Sequence, residues 1–173
     1  MLRDVAPRMT RVAVLYEPDM PGMDLYSQAT ERAAVAMDIQ LIKLPGRTVA
    51  ELDAAFAAVV RERADALYIV PSGAIFTHRA RVIEFASRQH LPAIYSNKLS
   101  VTEGGSLYHA LDPVALMQRT ASIIDRILKG ARPVDIPGEQ PMRFEFIVNL
   151  KTARAMKLKI PQSVLLRATE VIE

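Results

Sequence analysis

Short apolar runs alternate along this chain with longer segments in which apolar residues recur every three or four positions. The runs Arg11 to Tyr16, Ile39 to Leu44 and Ala66 to Val70 are each followed closely by proline. Runs of this length, bounded by turns, predict strands that are buried on both faces of a parallel sheet. Residues 92–95 and 106–110 form two shorter runs and predict two further strands.

The segments between these runs have helical spacing. The clearest helix is predicted over Thr48 to Arg61, where Thr48 and Glu51 form a capping box that satisfies free backbone N–H groups. Another helix is predicted over 74–89. A third opens at Asp112-Pro113; its apolar stripe consists of Val114, Met117, Ala121, Ile124 and Leu128. Alternating strands and helices predict an α/β three-layer sandwich with a mostly parallel sheet.

The pattern changes after Gly130, and we therefore predict a division into residues 1–130, an α/β ligand-binding lobe, and residues 131–173. Residues 131–141 contain three prolines and predict an extended connector. Met142 to Val148 alternates apolar and charged residues, which predicts a half-exposed strand at a sheet edge or in a separate small sheet. Asn149 is predicted to cap a short helix, and we expect this C-terminal segment to pack on the same lobe.

Composition excludes several classes of protein. A chain of 173 residues is enough for one domain with a sizeable core. The chain has no long apolar run that predicts a transmembrane helix, and its first ten residues lack the apolar core of a signal peptide. The absence of cysteine excludes disulfides and thiolate chemistry. The formal charge of +3 comes from residues scattered along the chain, which disfavours nucleic-acid binding.

A candidate ligand-binding site lies at the carboxyl ends of the predicted strands, where open parallel sheets bind ligands. Helices follow these ends, so free backbone N–H groups there suit an anionic group such as an amino-acid carboxylate. Ordinary connecting turns are the alternative interpretation, and the two methionines of this set are either core residues or part of an apolar pocket. The predicted ligand-binding residues are Glu17, Pro18, Met20, Gly22, Met23, Pro71, Ser72, Tyr95, Ser96, Asn97 and Asp112.

Catalytic chemistry finds little support in the sequence. The three histidines, His78, His90 and His109, lack the spacing of metal ligands. Ser72 stands between Pro71 and Gly73, without the flanking glycines of a nucleophile elbow. We therefore predict no catalytic residue, no metal, no cofactor and no enzymatic activity; a small Rossmann-like enzyme is the alternative.

An ordered set of segments carries a family resemblance over nearly the whole chain. The segments are Arg11–Leu15 with Pro18 and Pro21-Gly22, Glu62–Leu67, His78–Arg81, Leu91–Tyr95, Ile127–Pro133, Glu139–Pro141, Phe144-Glu145, Asn149–Ala153, Ile160-Pro161 and Ala168–Glu173. In these segments the chain is similar to the second lobe and C-terminal segment of the uncharacterised-type ABC transporter substrate-binding proteins.

This resemblance implies one lobe of a type I periplasmic-binding-protein fold, in which two lobes trap a ligand between them. It also implies a small-molecule solute such as an amino acid, an ABC permease as partner, and a periplasmic location. The chain as given contains neither the first lobe nor a leader of that family. A homodimer through the surface that the first lobe normally covers is therefore a further expectation.

Two residues depart from the family pattern. Glu17-Pro18 replaces the usual Asn-Pro, and Met23 stands where a small hydroxyl residue is common. These changes make a neutral or more apolar ligand an alternative to one held by its carboxylate.

A different functional class, the effector-binding domain of a cytoplasmic transcription regulator, shares this fold. No helix-turn-helix segment precedes Val5, which counts against it.

Overall fold

The computed structural model describes residues 1–138 and 143–173. Seven strands within these ranges form one sheet in the order β2-β1-β3-β4-β5-β6-β7. Their bounds are β1 Arg11–Tyr16, β2 Gln40–Pro45, β3 Ala66–Ile69, β4 Ala93–Tyr95, β5 Leu107–Leu111, β6 Phe144–Asn149 and β7 Glu170–Ile172. β1 pairs in parallel with β2 and β3, β3 with β4, β4 with β5, and β6 with β7. The predicted α/β fold with a mostly parallel sheet is confirmed.

Helices connect most of the strands. Their bounds are α1 Leu2–Val5, α2 Met23–Ala36, α3 Val49–Arg61, α4 Gly73–Thr77, α5 Arg79–Arg88, α6 Lys98–Thr102, α7 Pro113–Leu128, α8 Leu150–Ala155 and α9 Gln162–Leu165, with a 3₁₀ turn at Pro133–Asp135. The single helix predicted over 74–89 is wrong, because the backbone of His78 leaves the helical region and separates α4 from α5.

The capping box of α3 is present as predicted. The Thr48 hydroxyl accepts a hydrogen bond from the backbone N–H of Glu51, and the Glu51 carboxylate accepts one from the Thr48 N–H. Side chains on one face of α3, including the fully buried Leu52, then pack into the core. The core centres on strand residues with no exposed surface, namely Ala13, Leu15, Ala66, Leu67, Ala93, Leu107 and Val148.

β6 differs from its prediction as an edge strand. It lies between β5 and β7, and Phe146, Ile147 and Val148 are all buried. The prediction of a sheet-edge or separate strand is wrong because β7, for which the sequence pattern predicts no strand, covers the outer side of β6. Met142 and the connector residues 139–141 lie outside the described residues.

The chain divides into two units. One comprises Met1–His109 with Phe146–Glu173, and the other comprises Ala110–Glu145. The division into 1–130 and 131–173 stays a prediction. α7 belongs to the smaller unit and has no buried residue in the described part of the chain. Its predicted apolar stripe is solvent-exposed, with Met117 at 71% and Leu128 at 82% exposure. Over the described residues, no helix combines the length and apolarity needed to cross a membrane.

Candidate ligand-binding site

A cavity of about 240 Å³ lies in the larger unit at the carboxyl ends of β3 and β4. Five of the predicted site residues line it, namely Pro71, Ser72, Tyr95, Ser96 and Asn97. Phe76, Arg79 and Ser100 also line it and were missed by the strand-end rule, because that rule points to loops and these residues lie on α4, α5 and α6. α4 and α6 begin directly after the turns that end β3 and β4, and α5 follows α4 after the single residue His78. A search that included the first turns of the helices after each strand end would have found Phe76 and Ser100.

The wall of the cavity is mostly apolar. Ile75 and Val82 are almost fully buried beneath it, and Tyr95 is 2% exposed. Burial raises the pKa of Tyr95, so its phenol is neutral at physiological pH. An apolar wall with a few polar groups at its margins is typical of small-molecule sites.

One polar group at the margin joins the ends of β1 and β3. The Ser72 hydroxyl donates a hydrogen bond to the Glu17 carboxylate, with an Oγ–Oε2 distance of 2.6 Å. The same oxygen accepts a hydrogen bond of 3.1 Å from the backbone N–H of Ile75 and so caps α4. Glu17 does not itself line the cavity, but one hydrogen bond connects it to Ser72, which does.

Arg79 gives the cavity a cation that is already paired. Its Nε and Nη2 atoms lie 2.8 and 2.9 Å from the two carboxylate oxygens of Glu103. Its guanidinium also stacks over the Phe76 ring, 4.5 Å from the centroid. The hydrogen bond from Arg79 holds the pKa of Glu103 below its usual range, so both partners are charged and neutralise each other.

Hydrogen-bond donors lie on the β4 side of the cavity. Ser100 is 4% exposed and lines the cavity, and no protein group in residues 1–138 or 143–173 bonds to its hydroxyl. The Asn97 side-chain oxygen caps α6 by accepting the Leu99 N–H at 2.9 Å, which leaves its amide NH₂ to donate. The Ser100 hydroxyl therefore faces the cavity with its hydrogen-bonding capacity available to a bound molecule.

The remaining predicted residues lie elsewhere. Met23 is 7% exposed in a core cluster with Val12, Val14 and Val70, and Met20 packs against that cluster. Gly22, with φ of +81°, precedes α2 at its N-cap, and Pro18 lies in the turn closed by the Met20 N–H and the Glu17 carbonyl. None of these four residues lines the cavity.

Asp112 belongs to the smaller unit. Its carboxylate accepts hydrogen bonds from the N–H groups of Val114 and Ala115 at 2.9 and 3.0 Å, as the cap of α7. The structure therefore gives Asp112 a local structural role. Among the described residues, no three His, Asp or Glu side chains come together in a way that could hold a metal ion.

The sequence matches the family described as ABC transporter substrate binding protein over residues 1–172, and the chain belongs to that family. A tyrosine-binding protein of Clostridioides difficile is 20% identical over 159 residues, which are 92% of this chain and 46% of the relative. The chain thus spans about half the length of this relative.

Two solved structures share the fold. A conserved domain protein of Vibrio cholerae superposes with a TM-score of 0.86 at 20% identity over 98% of this chain and 57% of its own. An ABC domain of Streptococcus pneumoniae, solved in complex with L-Trp, superposes with a TM-score of 0.85 at 22% identity, over 99% of this chain and 59% of its own. The α/β fold expected from the sequence is thereby confirmed.

Proposed function

We propose that this chain supplies one lobe of a solute-binding component for ABC-type import, binding a small molecule such as an amino acid at the carboxyl edge of the sheet. The observation that carries this proposal is the cavity itself, since five predicted residues line it beside the Ser100 hydroxyl, which has no protein partner within residues 1–138 and 143–173. Of the remaining predicted site residues, Glu17 bonds to Ser72 and the others do not line the cavity.

The size and lining of the cavity support a ligand with an apolar body and few polar groups. A cavity of about 240 Å³ lies below the range of about 300–1,000 Å³ typical of complete pockets, as expected for one wall of a two-lobed cleft. Relatives described as tyrosine-binding and as bound to L-Trp support an aromatic amino acid. We assign no catalytic step to the chain, because a binding lobe needs none.

Family membership supports the partners and the location that we propose. The solute is the small-molecule partner, and an ABC permease receives it. The periplasm is the compartment in which such a component operates. We propose no nucleic-acid partner, since the charged side chains form local ion pairs such as Arg79 with Glu103 and Arg132 with Asp135.

Titration with L-tryptophan, followed by ¹⁵N–¹H NMR spectra of the 173-residue chain, tests ligand binding directly. We expect saturable shifts of the amides of residues 69–79 and 95–100, with a dissociation constant of roughly 1 mM, because one lobe offers one wall. D-glucose, which lacks both the aromatic body and the amino group, is the matched control. Shifts that do not saturate, or that lie outside these segments, would contradict the proposal.

We also propose that the chain pairs with a second copy of itself through the exposed apolar stripe of α7. The exposed stripe of α7 repeats at intervals of three and four residues, which is the spacing of a two-helix seam. An isologous pair places each stripe on its equivalent. The stripe consists of Val114, Met117, Ala121, Ile124 and Leu128.

Met117→Glu is expected to weaken this dimer by about tenfold or more, because it places a charge in the centre of the seam. Light scattering coupled to size-exclusion chromatography at several protein concentrations measures the effect. Val134→Glu, at an exposed position that is off α7, is the control and should leave the mass unchanged. A monomeric wild-type chain at high concentration would rule this interface out.

A further inference from the structure

We propose that Glu17 and Ser72 form a subsite that recognises a protonated amino group of the ligand. This inference rests on the proposed function and deepens it, because it assigns a chemical class to the ligand group that meets Ser72 at the cavity margin, where Glu17 lies one hydrogen bond outside the lining. Sequence spacing favours an anionic ligand group at this edge of the sheet, whereas the hydrogen bonds observed here favour a cationic one.

The hydrogen bonds that Ser72 already makes decide what its hydroxyl can offer to a ligand. A hydroxyl has one proton to donate and two lone pairs to accept with. The Ser72 proton goes to Glu17, and one lone pair takes the N–H of Ile75. What Ser72 can still offer to a ligand is therefore a lone pair and not a proton.

Glu17 and Ser72 together form a subsite that can only accept hydrogen bonds from a ligand. Its carboxylate receives the hydrogen bond from Ser72, and no other bond to it occurs in the described part of the chain. An ionised carboxylate accepts through both oxygens and donates nothing. A ligand carboxylate placed here would meet a like charge and no donor, whereas an ammonium group would find two acceptors and an opposite charge.

The neighbouring arginines already form ion pairs with carboxylates other than Glu17. Arg79, which lines the same cavity, holds both oxygens of Glu103. Arg47 bonds to Asp19, which lies in the loop that follows Glu17, at 2.6 Å. Neither arginine makes an ion pair with Glu17, so the Glu17 charge remains available to a ligand cation.

The other side of the cavity has the opposite hydrogen-bonding character. The hydroxyl of Ser100 and the amide NH₂ of Asn97 can both donate. A ligand with both an amino group and an acceptor is therefore oriented with its amino group toward β1 and β3 and its acceptor toward α6. The apolar wall between them contacts the body of the ligand.

Three probes that differ by one group test this assignment: L-tryptophan, tryptamine, which lacks the carboxylate, and indole-3-propionate, which lacks the amino group. NMR titration of the 173-residue chain measures each dissociation constant. We expect indole-3-propionate to bind at least about tenfold more weakly than tryptamine, because it loses a charge-assisted hydrogen bond. Glu17→Gln should weaken tryptamine and L-tryptophan by about tenfold and leave indole-3-propionate no weaker.

Glu17→Gln retains an oxygen that accepts the Ser72 hydrogen bond, so the turn keeps its local structure. Glu84→Gln is the matched control, because it makes the same carboxylate-to-amide change at an exposed residue that pairs with Arg88 and does not line the cavity, and it should leave all three affinities unchanged. Equal L-tryptophan binding by wild type and Glu17→Gln would overturn the assignment and leave the proposed function standing. Binding of none of the three probes to the wild-type chain would overturn both.

Discussion

Gly105→Ala is expected to lower the free energy of unfolding by about 3 kcal/mol, the upper end of the usual cost of overpacking. A Cβ atom at this position would lie 2.7 Å from Cε2 of Tyr95 and 2.8 Å from the carbonyl oxygen of Ser100. The carbonyl has little room to retreat, because the Gly105 N–H itself donates to it at 2.8 Å. Tyr95 is 2% exposed and is equally confined.

This substitution should also weaken ligand binding, since both residues that the new methyl group displaces line the cavity. A stability change and a binding change from one methyl group at a residue outside the cavity lining would show that the site depends on this close approach. Gly105 therefore belongs to the support of the site although it offers a ligand no functional group.

Urea unfolding followed by circular dichroism measures the stability change, and NMR titration with L-tryptophan measures the binding change. Gly138→Ala is the matched control, because among the described residues beyond its chain neighbours no atom lies within 4 Å of a Cβ at that position. We expect the control to change stability by less than about 0.5 kcal/mol. If the two variants unfold at the same urea concentration, the close packing around Gly105 does not constrain this region.

The sequence predicts the central strands well because each is a short apolar run that turns bound on both sides. Arg11–Tyr16 and Ala66–Ile69 are examples, and their parallel pairing follows from the helices between them. The sequence does not predict β7, because Glu170–Ile172 is only three residues long. Its extended conformation depends on its pairing with β6. That pairing joins residues more than twenty positions apart, which local periodicity does not report.

The candidate site likewise has features that the local sequence pattern predicts and features that depend on long-range contacts. Strand ends such as Pro71, Ser72 and Tyr95 are predictable, because the topology of an open parallel sheet places ligands there. The bond between Glu17 and Ser72 is not predictable, since 55 positions separate the two residues and only the folded sheet brings them together. The reversal in the expected charge of the ligand group therefore depends on tertiary contacts rather than on spacing.

Asn149→Ala is expected to lower the free energy of unfolding by about 2–3 kcal/mol, through two losses at one buried side chain. The sequence predicts the first, the cap of α8, in which the Asn149 oxygen accepts the Thr152 N–H at 2.9 Å. The second is visible only in the structure: the Asn149 NH₂ donates to the carbonyl of Val101 on α6 at 2.9 Å. Asn149 is 4% exposed, so water does not replace either bond freely.

Two further variants separate these losses by urea unfolding. Asn97→Ala removes an exposed cap from α6 and should cost about 1 kcal/mol, the usual value for a cap alone. Asn149→Asp keeps an oxygen for the cap of α8 but loses the donor to Val101, so it should remain clearly destabilised. Because Val101 follows Ser100 on α6, the lost bond also loosens the helix that carries the donor side of the cavity. Equal costs for Asn149→Ala and Asn97→Ala would show that Asn149 acts as a cap only and that the bond to α6 contributes nothing to stability.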